Sequence, residues 1–260
     1  MKGMRVGLVF LLSGLLLGCA TSQESTAINK KTVSSEGAIQ AYTTLGLQYL
    51  QSGDTINAKV AVQKALDIDG NYAPAYNALG LIFQAEDEMT LAEQYYKKAI
   101  SAEPGAAMYH NNYGAFLYAN KRYRESCVEL SRATEDPFYT GRAQAFENLG
   151  RCYQQLGELD AAVHAFERTI KTGGMRPFSL VELADLYLQK GDEVNADRYY
   201  SQFSELVNSK RVNHTAKSLW VAIRLARVNG KASSSATYAL LLKNLFPDSD
   251  EYRQYKESAR

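Results

Sequence analysis

Apolar positions along this chain fall at helical spacing, in a pattern that recurs. Within APAYNALGLIFQAEDEMTLAEQYYKKAISAEPG, residues 73–105, Tyr76, Leu79 and Phe83 share one face at the i, i+3, i+7 spacing of a helix. Ala92, Tyr95, Tyr96, Ala99 and Ile100 show the same periodicity further on. The acidic run Glu86, Asp87 and Glu88 separates the two segments and reads as solvated charge in a turn. Pro104 stops the second segment, because its ring disfavours helical geometry in the residue before it. The pattern predicts a hairpin of two short helices. Gly80, Ala92 and Ala99 are small where helix axes about 8–10 Å apart must cross, and a bulky side chain there would push the hairpin open.

The hairpin is one copy of a repeat. Gly46, Gly80 and Gly114 are 34 residues apart, Gly150 follows after 36, and Ala184 after another 34. Tyr49, Phe83, Leu117, Tyr153 and Tyr187 come three residues after these positions; Ala58, Ala92, Ser126, Ala162 and Ala196 come twelve after them. Val62, Tyr96, Leu130, Phe166 and Tyr200 lie four further on. This is the tetratricopeptide repeat pattern. It implies an all-α, right-handed superhelical solenoid of about six helix-turn-helix repeats over residues 39–247: 39–72, 73–106, 107–140, 143–174, 177–208 and a degenerate last unit, 215–247. Trp220, Ile223, Leu225 and Ala226 supply that unit's first helix and Asn229-Gly230 its turn; Pro247 stands where Pro104 stood. Residues 248–260 read as a C-terminal tail. The two additional residues before the fourth repeat lie near Phe138 to Arg142, just after Pro137.

The N-terminus follows a different pattern. Lys2 and Arg5 precede an unbroken apolar run, residues 6–17, too short to span a bilayer as a stable helix. It ends Leu16-Leu17-Gly18-Cys19, which resembles a bacterial lipobox. Residues 1–18 are thus expected to be a signal peptide, and Cys19 to become an acylated N-terminus; the plainer alternative is a secretory signal with an incidental Cys. By similarity to enterobacterial lipoproteins, Ala20 after the Cys favours the outer membrane, with the chain facing the periplasm. Several acyl chains, at about 0.8 kcal/mol per buried methylene, would anchor it firmly. Residues 19–38 read as the lipidated Cys and a flexible polar tether; about sixteen such residues reach at most ~50 Å.

Composition narrows the function classes. An apolar fraction of 46% supports a packed core, and 18 Tyr suit the space between stacked helices. The formal net charge of +1 is no electrostatic footprint for nucleic acid. No catalytic constellation is present, so no enzyme, cofactor, metal or small-molecule substrate is expected. His110, His164 and His214 fall in separate units at no ligand spacing; His110 takes the place of Tyr76 and reads as packing, His164 as surface. Gly173-Gly174 is a loop, and neither a phosphate-loop motif nor a nucleophile elbow occurs.

Binding is expected on the concave face, lined by the first helix of each repeat. By the family pattern, groove-facing residues are Thr43, Leu47 and Leu50 in repeat one, and Asn77, Leu81 and Gln84 in repeat two. Repeat three contributes Asn111, Ala115 and Tyr118, and repeat four Glu147, Arg151 and Gln154. The early part is apolar, the later part polar. Leu47 and Leu50 either bind a partner or contact the segment before repeat one. The clamp by which chaperone-binding repeats hold a chain-terminal carboxylate needs Lys and Asn where this chain has Thr43 and Leu47, which disfavours a chaperone co-factor.

The lipobox, six repeats filling the mature chain, and the ending SLWVAIRLAR…NLFPDSDEY together resemble the PilF/PilW family of type IV pilus biogenesis lipoproteins. The resemblance implies a pilotin: an outer-membrane lipoprotein scaffold that binds the pilus secretin and promotes its localisation and multimerisation. The alternative is another periplasm-facing repeat lipoprotein, for example one organising cell-wall enzymes. Cys127 and Cys152 fall on helices of adjacent repeats that should pack together. In an oxidising periplasm they are expected to form a disulfide; otherwise they are two buried thiols packed as small apolar residues.

Overall fold

The computed structural model describes residues 22–258, with side chains from residue 35 onward. Every regular element among them is an α-helix. They group into two compact units, one up to Asn71 and one from Tyr72 on. Cys19 lies outside the described residues.

The first unit is a single hairpin, α1 (Ser22–Gln51) and α2 (Thr55–Ile68). The α2 N-terminus is capped by Asp54, whose carboxylate accepts from the Asn57 amide at 3.0 Å. Gly46 of α1 faces Val62 of α2 so closely that a Cβ there would lie 2.4 Å from the Val62 methyl. From Ser22 on, the polar stretch expected to be a tether is helical. Its Ala, Gln, Glu and Lys residues are good helix formers without an apolar face, and the absence of amphipathic period was what suggested a coil.

The second unit holds α3 (Ala73–Ala85), α4 (Met89–Ala102), α5 (Ala107–Ala119), α6 (Tyr123–Ala133), α7 (Arg142–Leu156) and α8 (Leu159–Gly173). It continues with α9 (Pro177–Gln189), α10 (Glu193–Asn208), α11 (Ala216–Val228), α12 (Ala232–Leu245) and α13 (Asp250–Ser258). The five hairpins follow the expected repeat boundaries. Pro74 and Pro177 lie in the first turns of α3 and α9, where a missing N–H costs nothing. Thr215 and Ser218 form a reciprocal capping box at α11.

One backbone position repeats with the period. The residue seven after each Gly/Ala position turns the chain with positive φ: Gly53, Asp87, Lys121, Gly157 and Gly191. Glycine takes this left-handed geometry freely; Asp87 and Lys121 hold it without that freedom. The tight crossings fall where expected: a Cβ on Gly80 would lie 2.7 Å from the Tyr96 ring, and one on Gly150 2.7 Å from the Phe166 ring. Each second helix packs on the next first helix, α4 on α5, α6 on α7 and α8 on α9. The core falls in clusters along the stack, with Tyr96 and Phe116 in one, Leu130 in a second, and Phe166, Leu183 and Phe203 in a third, all nearly inaccessible.

Two features depart from the sequence reading. The expected C-terminal tail contains α13, whose Tyr252 and Tyr255 pack against the cluster of Leu219, Trp220 and Ile223. Arg227 of α11 lies 5.3 Å from the Tyr255 ring centroid and donates to the Ser258 hydroxyl at 2.8 Å. Only two apolar side chains, three residues apart, mark this helix, too few to show a period. The inserted residues make a loop, 134–141, that leaves Phe138 90% exposed.

Candidate functional site

The expected groove residues divide by accessibility. In the first unit, Thr43 is buried and its hydroxyl donates to its own helix at the Ile39 carbonyl, 2.9 Å away. Leu47 is 38% exposed and Leu50 half-buried; with Leu45, also exposed, they leave apolar surface on α1. In the second unit, Leu81 packs sideways onto the Tyr96–Phe116 core, Gln84 accepts from the Tyr96 hydroxyl at 2.7 Å, and Ala115 is exposed.

Asn77 and Asn111 are buried, which removes them from the contact surface, and they serve the fold instead. An amide can donate and accept at once, so amides can be chained. Asn112 donates to Asn77 at 3.0 Å, Asn111 to Asn112 at 3.4 Å, Asn148 to Asn111 at 3.1 Å, and Gln144 to Asn148 at 3.0 Å. Arg176 extends the chain by donating to Gln144 and to Glu147. Ser179 closes it on the Glu147 carboxylate at 2.7 Å. The ladder therefore ties α3, α5, α7 and α9 in register. Breaking one link strands a buried polar group, at a cost of about 1–3 kcal/mol.

Beyond the ladder, four first helices border one cavity of about 440 Å³. Tyr118 comes from α5; Arg151, Gln154 and Gln155 from α7; Phe178 and Glu182 from α9; Lys217 from α11. Tyr118, Arg151 and Gln154 were legible as groove residues. Phe178, Glu182 and Lys217 were not, since they sit off the one-, four- and minus-three positions used to read the groove. The Arg151 guanidinium lies 3.8 Å from the Phe178 ring centroid. Glu182 accepts from Gln154 at 2.8 Å and faces Lys217 at 3.9 Å. Burial pushes the Glu182 carboxyl above its ordinary range against the pull of Lys217 and Gln154. Burial also works against the Lys217 charge, but Glu182 and Asp185 outweigh it and hold the ammonium above its usual value. Asp185, 2% exposed, pairs with both Lys217 and Arg224.

Cys127 of α6 and Cys152 of α7 are joined, with Cα atoms 5.7 Å apart, among Leu130, Leu149 and Ala165. His110 is buried, with Nδ1 2.6 Å from a Glu129 oxygen and Nε2 2.9 Å from the Pro104 carbonyl. His164 is exposed. Among the described residues no three His, Cys, Asp or Glu side chains are grouped to hold a metal, and no helix is long and apolar enough to cross a membrane.

The tetratricopeptide repeat family matches residues 39–72, 73–105 and 143–171. The type IV pilus assembly protein PilF of Pseudomonas aeruginosa is 39% identical over 97% of this chain and 98% of its own length. A solved structure of Pseudomonas aeruginosa PilF superposes with a TM-score of 0.79 at 38% identity, covering 86% of this chain and 99% of that one. The structure of PilW, described as a widely conserved type IV pilus biogenesis factor, superposes with a TM-score of 0.69 at 26% identity, covering 84% and 97%.

Proposed function

Since the chain belongs to the PilF/PilW family of tetratricopeptide-repeat proteins of type IV pilus biogenesis, we propose that it is a pilotin: a lipoprotein held in the outer membrane by acylated Cys19, facing the periplasm, that binds the pilus secretin and promotes its localisation and multimerisation. Its role is that of a non-enzymatic scaffold. The observation that carries the reading is kinship with a pilus assembly protein over nearly the full length of both chains. The exposed leucines of α1 supply contact chemistry that suits it. Leu47 and Leu50, three residues apart on α1, offer apolar side chains that gain by being covered by an apolar segment of a partner.

Two variants test the proposal. Leu47→Glu is expected to abolish secretin multimers in the outer membrane while leaving the melting curve nearly unchanged, since exposed substitutions usually stay within about 0.5 kcal/mol. Cys19→Ala is expected to leave an uncleaved or soluble periplasmic protein and few surface pili. Normal secretin multimers and pili in a strain lacking the protein altogether would reject the pilotin role and favour a scaffold for another envelope assembly. Unchanged membrane fractionation of Cys19→Ala would reject the lipid anchor.

A further inference from the structure

In the cavity bordered by α5, α7, α9 and α11, Arg151 has no anion in direct contact; the Glu182 carboxylate acts on it only through space. Arg151 makes no ion pair among the described residues, and its Nε is buried without a hydrogen-bond partner. The neighbouring charges are committed elsewhere. Lys217 and Arg224 both engage Asp185, and the Glu182 carboxylate is taken by Gln154 and Lys217. The charged residues lining the cavity are Arg151, Lys217 and Glu182, two cations and one carboxylate. A buried donor left unpaired is costly, and native structures seldom keep one without a reason.

The geometry around Arg151 suits a particular anion. The Arg151 guanidinium carbon lies over the Phe178 ring, 3.8 Å from its centroid, so the ring covers one face of the group. A planar fork held this way matches the two oxygens of a carboxylate. Tyr118, Gln154 and Gln155 line the same cavity and can meet backbone amides and carbonyls beside it. About 440 Å³ admits a side chain with its adjoining backbone, not a folded domain. The row of first helices is also where an extended chain lies in a repeat protein of this kind.

We propose that this cavity receives an aspartate or glutamate side chain of an extended peptide segment, its carboxylate bound bidentately by Arg151 on the Phe178 ring. The site is separate from the leucines of α1, and the inference does not depend on which protein carries the segment.

Phage-displayed random dodecapeptides selected on the immobilised protein test it. Enriched sequences, synthesised with their acidic residue and again with the matching amide, are titrated calorimetrically against wild type and variants. Enriched peptides are expected to carry Asp or Glu, and the amide forms to bind at least tenfold more weakly. Arg151→Gln should weaken the acidic peptides by the same factor and leave the amide peptides unaffected. Arg151→Lys should restore only part of the loss, because an ammonium cannot form the paired contact. Phe178→Leu removes the stacking surface and should give an intermediate loss, which keeps the test open if Arg151→Gln fails to fold. Failure to enrich any peptide, enrichment of peptides without an acidic residue, or equal weakening of acid and amide forms by Arg151→Gln would each overturn the proposal.

Discussion

The bond between Cys127 and Cys152 makes a quantitative prediction. It joins the second helix of one repeat to the first helix of the next, across the place where the eight-residue loop 134–141 replaces the usual short turn. A separation of 25 residues corresponds to roughly 3.5 kcal/mol of lost unfolded-state freedom in the loop-closure treatment, with measured values often lower. For a chain of this size about 1 kcal/mol moves the melting temperature by roughly 2–4 °C, so breaking the bond should lower it by up to about 7–14 °C. Mutation alone would confound the result. Both residues are nearly inaccessible among Leu130, Leu149 and Ala165, and removing two sulfurs adds packing loss to the entropic effect. The cleaner perturbation is to unfold, reduce and refold the wild-type chain, then melt it with and without reductant by circular dichroism. A Cys127→Ala, Cys152→Ala double variant serves as control: it should melt lower than the oxidised chain and ignore reductant. Alkylation of the freshly purified, unreduced, denatured protein followed by mass spectrometry reads the bond directly. Two alkylated thiols, or identical melting of the reduced and oxidised chains, would refute the reasoning.

Three further outcomes are expected. Gly150→Ala should destabilise by about 1 kcal/mol in urea titration: a gain near 1 kcal/mol in helix propensity opposes an overpacking cost of about 1–3 kcal/mol, because the new Cβ would lie 2.7 Å from the buried Phe166 ring; Phe166→Leu in the same chain should recover part of the loss, and a stabilised Gly150→Ala would contradict the crossing geometry. Glu129, and after it the Pro104 carbonyl, favour the charged form of His110 and raise its pKa above 6.5, so its stabilising effect is complete below 6.5 and lost as pH rises through the folded value. His214, whose pKa burial lowers below 6.5, acts in the opposite sense and only below that point, so the stability change above 6.5 assigned to His110 should disappear in His110→Gln when midpoints are compared from pH 6 to 9. Deleting residues 250–258 should uncover Trp220, the one tryptophan of the chain, and shift its emission to longer wavelength; unchanged emission would mean that α13 does not cover it.

The helical hairpins were legible because their cause is local. A 34-residue recurrence of small and large apolar positions specifies which helices cross and where, and Gly80 opposite Tyr96 or Gly150 opposite Phe166 follows from it. The binding surface was legible only in part. Leu47, Tyr118, Arg151 and Gln154, one or four residues after the Gly, are accessible or line the cavity, whereas Thr43, Asn77, Asn111 and Glu147, three before it, are all buried. What these buried side chains do is set by neighbours distant in sequence. Asn112 and Asn148 reach across repeats to cover Asn77 and Asn111, and a rule built on position within one repeat holds no information about the next. Phe178, Glu182 and Lys217 lie off the three positions by which the groove was read and in repeats beyond the four for which it was read.

By itself, the sequence determined the recurrence of the hairpins, the all-α class and the kinship with type IV pilus biogenesis proteins, since periodicity, turn chemistry and short motifs act over a few residues. Only the tertiary structure decided how charge is paired along the first helices. Lys217 and Arg224 converge on Asp185 from 32 and 39 residues away, and that commitment leaves Arg151 as the unpaired cation over Phe178. Coulombic and hydrogen-bond energies depend on separation in space, and the spacing between repeats is set by packing rather than by order along the chain.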